Sequence, residues 1–81
     1  MTSGVIAAIA HFPDRGRAIE KLVQKDEEFR SLCADLADAE AALAGWTKSS
    51  SIVREDRCFE YRRLITDLAV EICHTLDRKA S

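Results

Sequence analysis

Apolar residues spaced alternately by three and four, on both sides of a polar break past mid-chain, make this 81-residue chain an all-α protein. The expected architecture is an antiparallel two-helix hairpin, coiled-coil-like, with a short helix before it. Phe29, Leu32, Leu36, Ala39, Leu43 and Trp46 form one heptad seam, and Cys58, Tyr61, Ile65, Leu68, Ile72 and Leu76 form another. Residues 45–51 have neither helical nor strand periodicity, and a connection of about half a dozen residues suits helices that return antiparallel.

The elements follow in chain order as one domain over residues 1–81. Pro13, in Phe12-Pro13-Asp14, opens a short helix over about residues 13–24, because a proline at the first position gives up an N–H that has no intrahelical partner. Ile19, Leu22 and Val23 are its apolar side, and Gly16 weakens it by about 1 kcal/mol relative to alanine. Asp26 can cap a second helix over about residues 26–44, with Glu27 and Glu28 against the positive end of its dipole. A break at residues 24–26 and a helix continuous through them are both open. Gly45 is read as a left-handed terminator just past the seam. Ser50 or Ser51 then caps the last helix, over about residues 52–78.

Length adds one inference. The last helix is about 40 Å long against about 28 Å for the middle one, at 1.5 Å per residue. The stretch from Ile72 to Leu76 should therefore pass Phe29 and lie beside the first helix, covering Ile19, Leu22 and Val23.

Projected at 100 degrees per residue, Ile52, Phe59, Thr66, Val70 and Cys73 form a second stripe on the last helix, roughly 120 degrees from the main one. A two-helix hairpin needs only one stripe. Three covers are open for the other: the segment from Val5 to Phe12 folded back, a second copy forming a helical bundle, or solvent. Ile52, Phe59, Val70 and Cys73 are thus the candidate protein interface, and a homodimer or another protein partner is expected.

The chemistry-bearing residues point away from catalysis. Cys58, Cys73, His11 and His74 lack the paired spacing of a zinc shell. Cys73 and His74, adjacent on a helix, diverge by about 100 degrees and make no dyad. No glycine-rich phosphate loop is present. No enzyme activity, cofactor or metal is therefore expected. Arg54, Arg57, Arg62 and Arg63 offer an alternative reading as a nucleic-acid-associated hairpin, but Glu55, Asp56 and Glu60 interleave with them as ion-pair partners. The formal net charge is −2 with mixed signs along the chain, which gives no electrostatic reason for nucleic acid or anionic membrane. The apolar run from Val5 to Ile9 is short for a membrane span and lacks the flanks of a signal peptide. Three cysteines form no even disulfide framework, and the expected location is the cytoplasm.

Phe12-Pro13-Asp14-Arg15, Ile19, Leu22, Lys25-Asp26, Phe29, Leu32 and Leu36 together resemble the small bacterial helical proteins of the DUF465, or YdcH-like, family. The resemblance covers residues 11–43 and reaches the last helix only by pattern. Cys58-Phe59-Glu60-Tyr61 stands where that family usually has a lysine-rich second helix. It implies a short cytoplasmic helical hairpin and brings no catalytic residues with it.

Overall fold

Thr2 begins the first helix: its Oγ1 accepts a hydrogen bond from the Val5 N–H at 3.4 Å, and α1 runs Ser3–His11. This computed structural model describes residues 1–79; residues 80 and 81, the end of the expected 1–81 domain, lie outside the described residues. The sequence reading placed no helix before residue 13. The signals that form this one are small residues, Gly4, Ala7 and Ala8, which are buried together with Val5.

Those small residues let α1 lie close against the next long helix. A Cβ on Gly4 would sit 2.8 Å from the Ala34 backbone nitrogen and 2.9 Å from the Cys33 carbonyl carbon, closer than real Cβ contacts come, so only glycine fits here. Seven residues on, His11 Nε2 lies 2.9 Å from Glu40 Oε2. Equal steps along both helices mean that α1 runs in the same direction as its neighbour. With α1 packed mainly on α3, Phe59 and Val70 of the second stripe stay exposed, so the segment from Val5 to Phe12, one of the three covers left open by the sequence, leaves them uncovered.

Pro13–Arg15 is a 3-10 turn with proline at its first position, and α2 follows as Gly16–Lys25. The expected helix over 13–24 is thus split: Arg15, at φ −117° and ψ 20°, departs from helical geometry before α2 begins. Ile19 and Leu22 are buried, as their spacing required. Asp26 breaks the chain with extended backbone, φ −127° and ψ 107°, and its Oδ1 accepts from the Phe29 N–H at 3.0 Å. Of the two open readings, break or continuous helix, the break is the observed one. Arg30 donates from Nε to the Val23 carbonyl at 2.9 Å and satisfies an end-of-helix acceptor on α2.

Helix α3 spans Glu27–Thr47 and passes straight through Gly45, which has no left-handed backbone and is not the terminator expected from sequence. Trp46, the next residue, is half-buried and borders a hollow with Arg57, Glu60, Tyr61 and Leu64 of the last helix. Thr47 Oγ1 then donates to the Ala44 carbonyl at 2.8 Å.

Residues 48–53 connect to α4, Arg54–Lys79. The Ser51 hydroxyl accepts from the Val53 N–H at 3.3 Å. The last helix thus starts two residues later than expected, and Ile52 lies in the connection and not on the helix. Helix α4 returns along α3, with Thr47 near Arg54 and Cys58 at one end and Phe29 near Leu68 and Thr75 at the other.

The overhang inferred from length is present. Ile72 and Leu76 are fully buried, and both ends of α2 are tied to the last turns of α4: Arg15 to Asp77 at 2.6 Å and Asp26 to Lys79 at 2.7 Å. One core joins Val5, Ala8, Ile19, Leu22, Phe29, Cys33, Leu36, Ala39, Leu68, Ile72 and Leu76. It occupies one end of a molecule 45 Å long and 22 Å across. Beyond Ala39 and Leu68 only α3 and α4 remain, and they form a narrower tip.

Candidate interaction surface

Helix α4 has to meet two demands with one cylinder. Its inward stripe, Cys58, Leu68, Ile72, Thr75 and Leu76, is buried, with Tyr61 and Ile65 half-buried against the core. Thr75 is the polar member and is satisfied by its own helix, donating from Oγ1 to the Glu71 carbonyl at 2.8 Å.

The outward stripe is a different surface. Phe59 is 65% exposed and Val70 48%, and Thr66 between them is exposed, its hydroxyl donating to the Arg62 carbonyl at 3.1 Å. Cys73 closes the stripe at the base. It is half-buried, with Sγ 4.0 Å from Asp77 Oδ2, while the other oxygen of that carboxylate holds Arg15. Of the four candidate interface residues, the structure therefore aligns Phe59, Val70 and Cys73. Ile52 is wholly exposed in the connection, two residues before the helix onto which its periodicity projected it.

The basic residues do not gather on one face. Arg57 is paired with Glu60 at 2.8 Å, beside Trp46 and Leu64. Arg54 and Arg62 line a hollow with Thr47, Glu55 and Cys58. Arg63 stands on the outward stripe, a half-turn from Arg54 on a helical projection.

Sequence reasoning missed a second apolar surface at the tip. Leu64 is 43% exposed in an open hollow with Ala39, Ala42, Tyr61 and Leu68, rimmed by Asp35 and Asp38. Neither α1 nor α2 lines this hollow. The one signal for it in the sequence is the length mismatch, which leaves the far end of the hairpin with only two helices.

The thiols divide by depth. Cys33 is buried beneath α1, and loss of solvation pushes its pKa up to about 11. Cys58 is buried too, and all three cysteines are free thiols. Among the described residues no three His, Cys, Asp or Glu side chains come together in a metal-holding group, and no helix is long and apolar enough to cross a membrane.

Comparison with protein-family models, curated proteins and solved structures returned no match for this chain. Any functional reading therefore rests on its own residues and surfaces.

Proposed function

We propose that the chain is a small helical assembly module that pairs with a second copy of itself through the outward stripe of α4, the α3–α4 hairpin serving as the unit that is paired. The observation that carries this reading is Phe59. It is a large aromatic side chain left mostly in water, on one line with Thr66 and Val70, on a helix whose other stripe is already used by the core. The segment of this chain best placed by sequence to cover it, α1, is held elsewhere by the close approach at Gly4. A bundle of two hairpins would bury the stripe and add core to a chain whose size limits what one copy can bury.

The motif resemblance to the DUF465 family fits a module of this kind, as do three free thiols with a reducing cytoplasm. The nucleic-acid reading has less to rest on, because Arg57 is occupied by Glu60 and Arg63 stands half a turn from Arg54.

Solution mass by sedimentation over a range of concentrations tests the proposal, with wild type compared to Phe59→Glu. Self-pairing predicts a wild-type dimer at the upper concentrations and a folded monomer for the variant. A wild type that stays monomeric throughout overturns it and turns the search to a different protein partner. A basic face would behave differently, since nucleic-acid affinity would survive Phe59→Glu and fall steeply with salt.

A further inference from the structure

Given the self-pairing proposed above, on which this step rests, we infer that the two copies meet with their α4 helices antiparallel, centred at the height of Ile65. The charges that border the stripe set both direction and register. On a helical projection Phe59, Arg63, Thr66 and Val70 fall within about 60 degrees of one another. Asp56, Asp67 and His74 lie along one flank of that line, and Glu55, Arg62 and Cys73 along the other. Asp56, Phe59, Arg63, Thr66, Asp67, Val70 and His74 are all exposed. Among the described residues, Asp56, Arg63, Asp67 and His74 have no ion-pair partner within the chain, in contrast to Arg57.

Two helices related by a twofold axis can pair in two ways. Side by side and parallel, each central residue meets its own copy. Arg63 would face Arg63 in the middle of the contact, while the flanks, meeting five residues apart, would set Glu55 against Glu60 and Arg62 against Asp67, one pair repelling and one attracting. The central repulsion is left uncompensated.

In the antiparallel arrangement, like flanks meet. Centring the pair on Ile65 sets Arg63 level with Asp67 of the second copy and Asp56 level with His74. Phe59 falls within one residue of Val70, so the two large apolar side chains of each copy cover those of the other. Twofold symmetry makes every one of these pairings twice. Arg63, which opposes its own copy in a parallel pair, is matched by Asp67 in the antiparallel one, and this selects the direction and the register together.

Val70→Cys, in the middle of the stripe, reports the direction. In a parallel pair position 70 lies opposite its own copy, within reach of a disulfide. In the antiparallel pair the two copies of position 70 are about 15 Å apart along the axis, at 1.5 Å per residue, too far for any bridge. Thr66, one residue from the centre, comes opposite its own copy within about 3 Å of axial offset.

The experiment has three arms, all on the full chain. Sedimentation of the wild type establishes whether it dimerises, and its failure there sinks the assembly reading itself. If it dimerises, mild oxidation of Val70→Cys in a Cys73→Ser background should give no covalent dimer, while Thr66→Cys in the same background should give one. A disulfide in Val70→Cys overturns the antiparallel inference and leaves self-pairing standing. Charge reversal supplies the third arm. Arg63→Asp and Asp67→Arg should each weaken dimerisation by about tenfold, and the double variant should recover most of that loss. A double variant no better than the singles places these two residues apart and overturns the register. Circular dichroism on each variant separates lost pairing from lost fold.

Discussion

The base and the tip of this molecule are built from the same two long helices and differ in what surrounds them. At the base, α1 and α2 close over α3 and α4, and Phe29, Ile19, Leu36, Ile72 and Leu76 are almost wholly removed from water. At the tip the same seams continue, with Cys58 buried but Tyr61 and Trp46 only half-buried, and Leu64 beside them exposed. A heptad seam specifies which residues two helices turn towards each other. Further helices take the larger side chains of that seam out of water, and the chain supplies them at one end only.

Core truncation gives the largest expected contrast between the two regions. Phe29→Ala should cost about 3–5 kcal/mol, as for large-to-small changes in packed cores, enough to unfold a domain this small. Leu64→Ala should cost under about 1 kcal/mol, because its side chain is already partly wet. Paired urea melts of the two variants measure this, and comparable losses would erase the distinction between base and tip.

The next largest effect concerns the helix that makes the base. Gly4→Ala forces a methyl group against the backbone of α3, where nothing flexible can yield, so α1 must shift. Overpacking of this kind costs about 1–3 kcal/mol. The same event exposes Cys33. In the wild type a thiol reagent should label Cys73 readily and Cys33 last, since Cys33 is both covered and held as a thiol. In Gly4→Ala the labelling of Cys33 should accelerate. Its raised pKa also has a sign for stability. The contribution is intact below the unfolded value of 9.0 and is lost as pH rises through about 11, so alkaline melts should fall in that window and those of Cys33→Ala should fall less.

Acid probes the joint between base and hairpin. Asp26 is held below its usual carboxylate range, first by its hydrogen bond to Lys79 and then by the Phe29 N–H. A depressed folded pKa means that its stabilisation is present above the unfolded value and disappears as pH falls through the folded one. Stability should therefore drop below about pH 4, and Asp26→Asn should flatten that limb of the profile. An unchanged acid limb in the variant would show that other carboxylates carry it.

The smallest effect lies at the tip. Gly45 is a helix-interior residue with open space around its Cβ position, so Gly45→Ala should stabilise by up to about 1 kcal/mol. Destabilisation would mean that the helix ends there in solution.

These contrasts also explain what could be read from sequence. The seams, the Asp26 cap and the overhang of Ile72 and Leu76 were legible because large apolar residues and caps act locally or through simple length. Helix α1 was not, since Gly4, Ala7 and Ala8 carry little amphipathic signal and act by letting two backbones approach. Gly45 misled because a glycine costs a helix only about 1 kcal/mol, too little to end one where the next residue, Trp46, is still half-buried. Ile52 misled because periodicity runs on past the point where Ser51 actually starts the turn into α4. For the candidate surface, Phe59 and Val70 were visible as a stripe, but whether α1 covered them depended on a backbone contact that no periodicity records.

Amide hydrogen exchange, resolved along the chain in dilute and in concentrated protein, tests the central claim most directly. The account predicts slow exchange in α1, the first half of α3 and the last half of α4 at both concentrations. It also predicts fast exchange at the tip when dilute, and added protection from about Phe59 to Val70 when concentrated. Uniform protection in dilute protein, with no change on concentration, would contradict both the bare tip and the pairing surface.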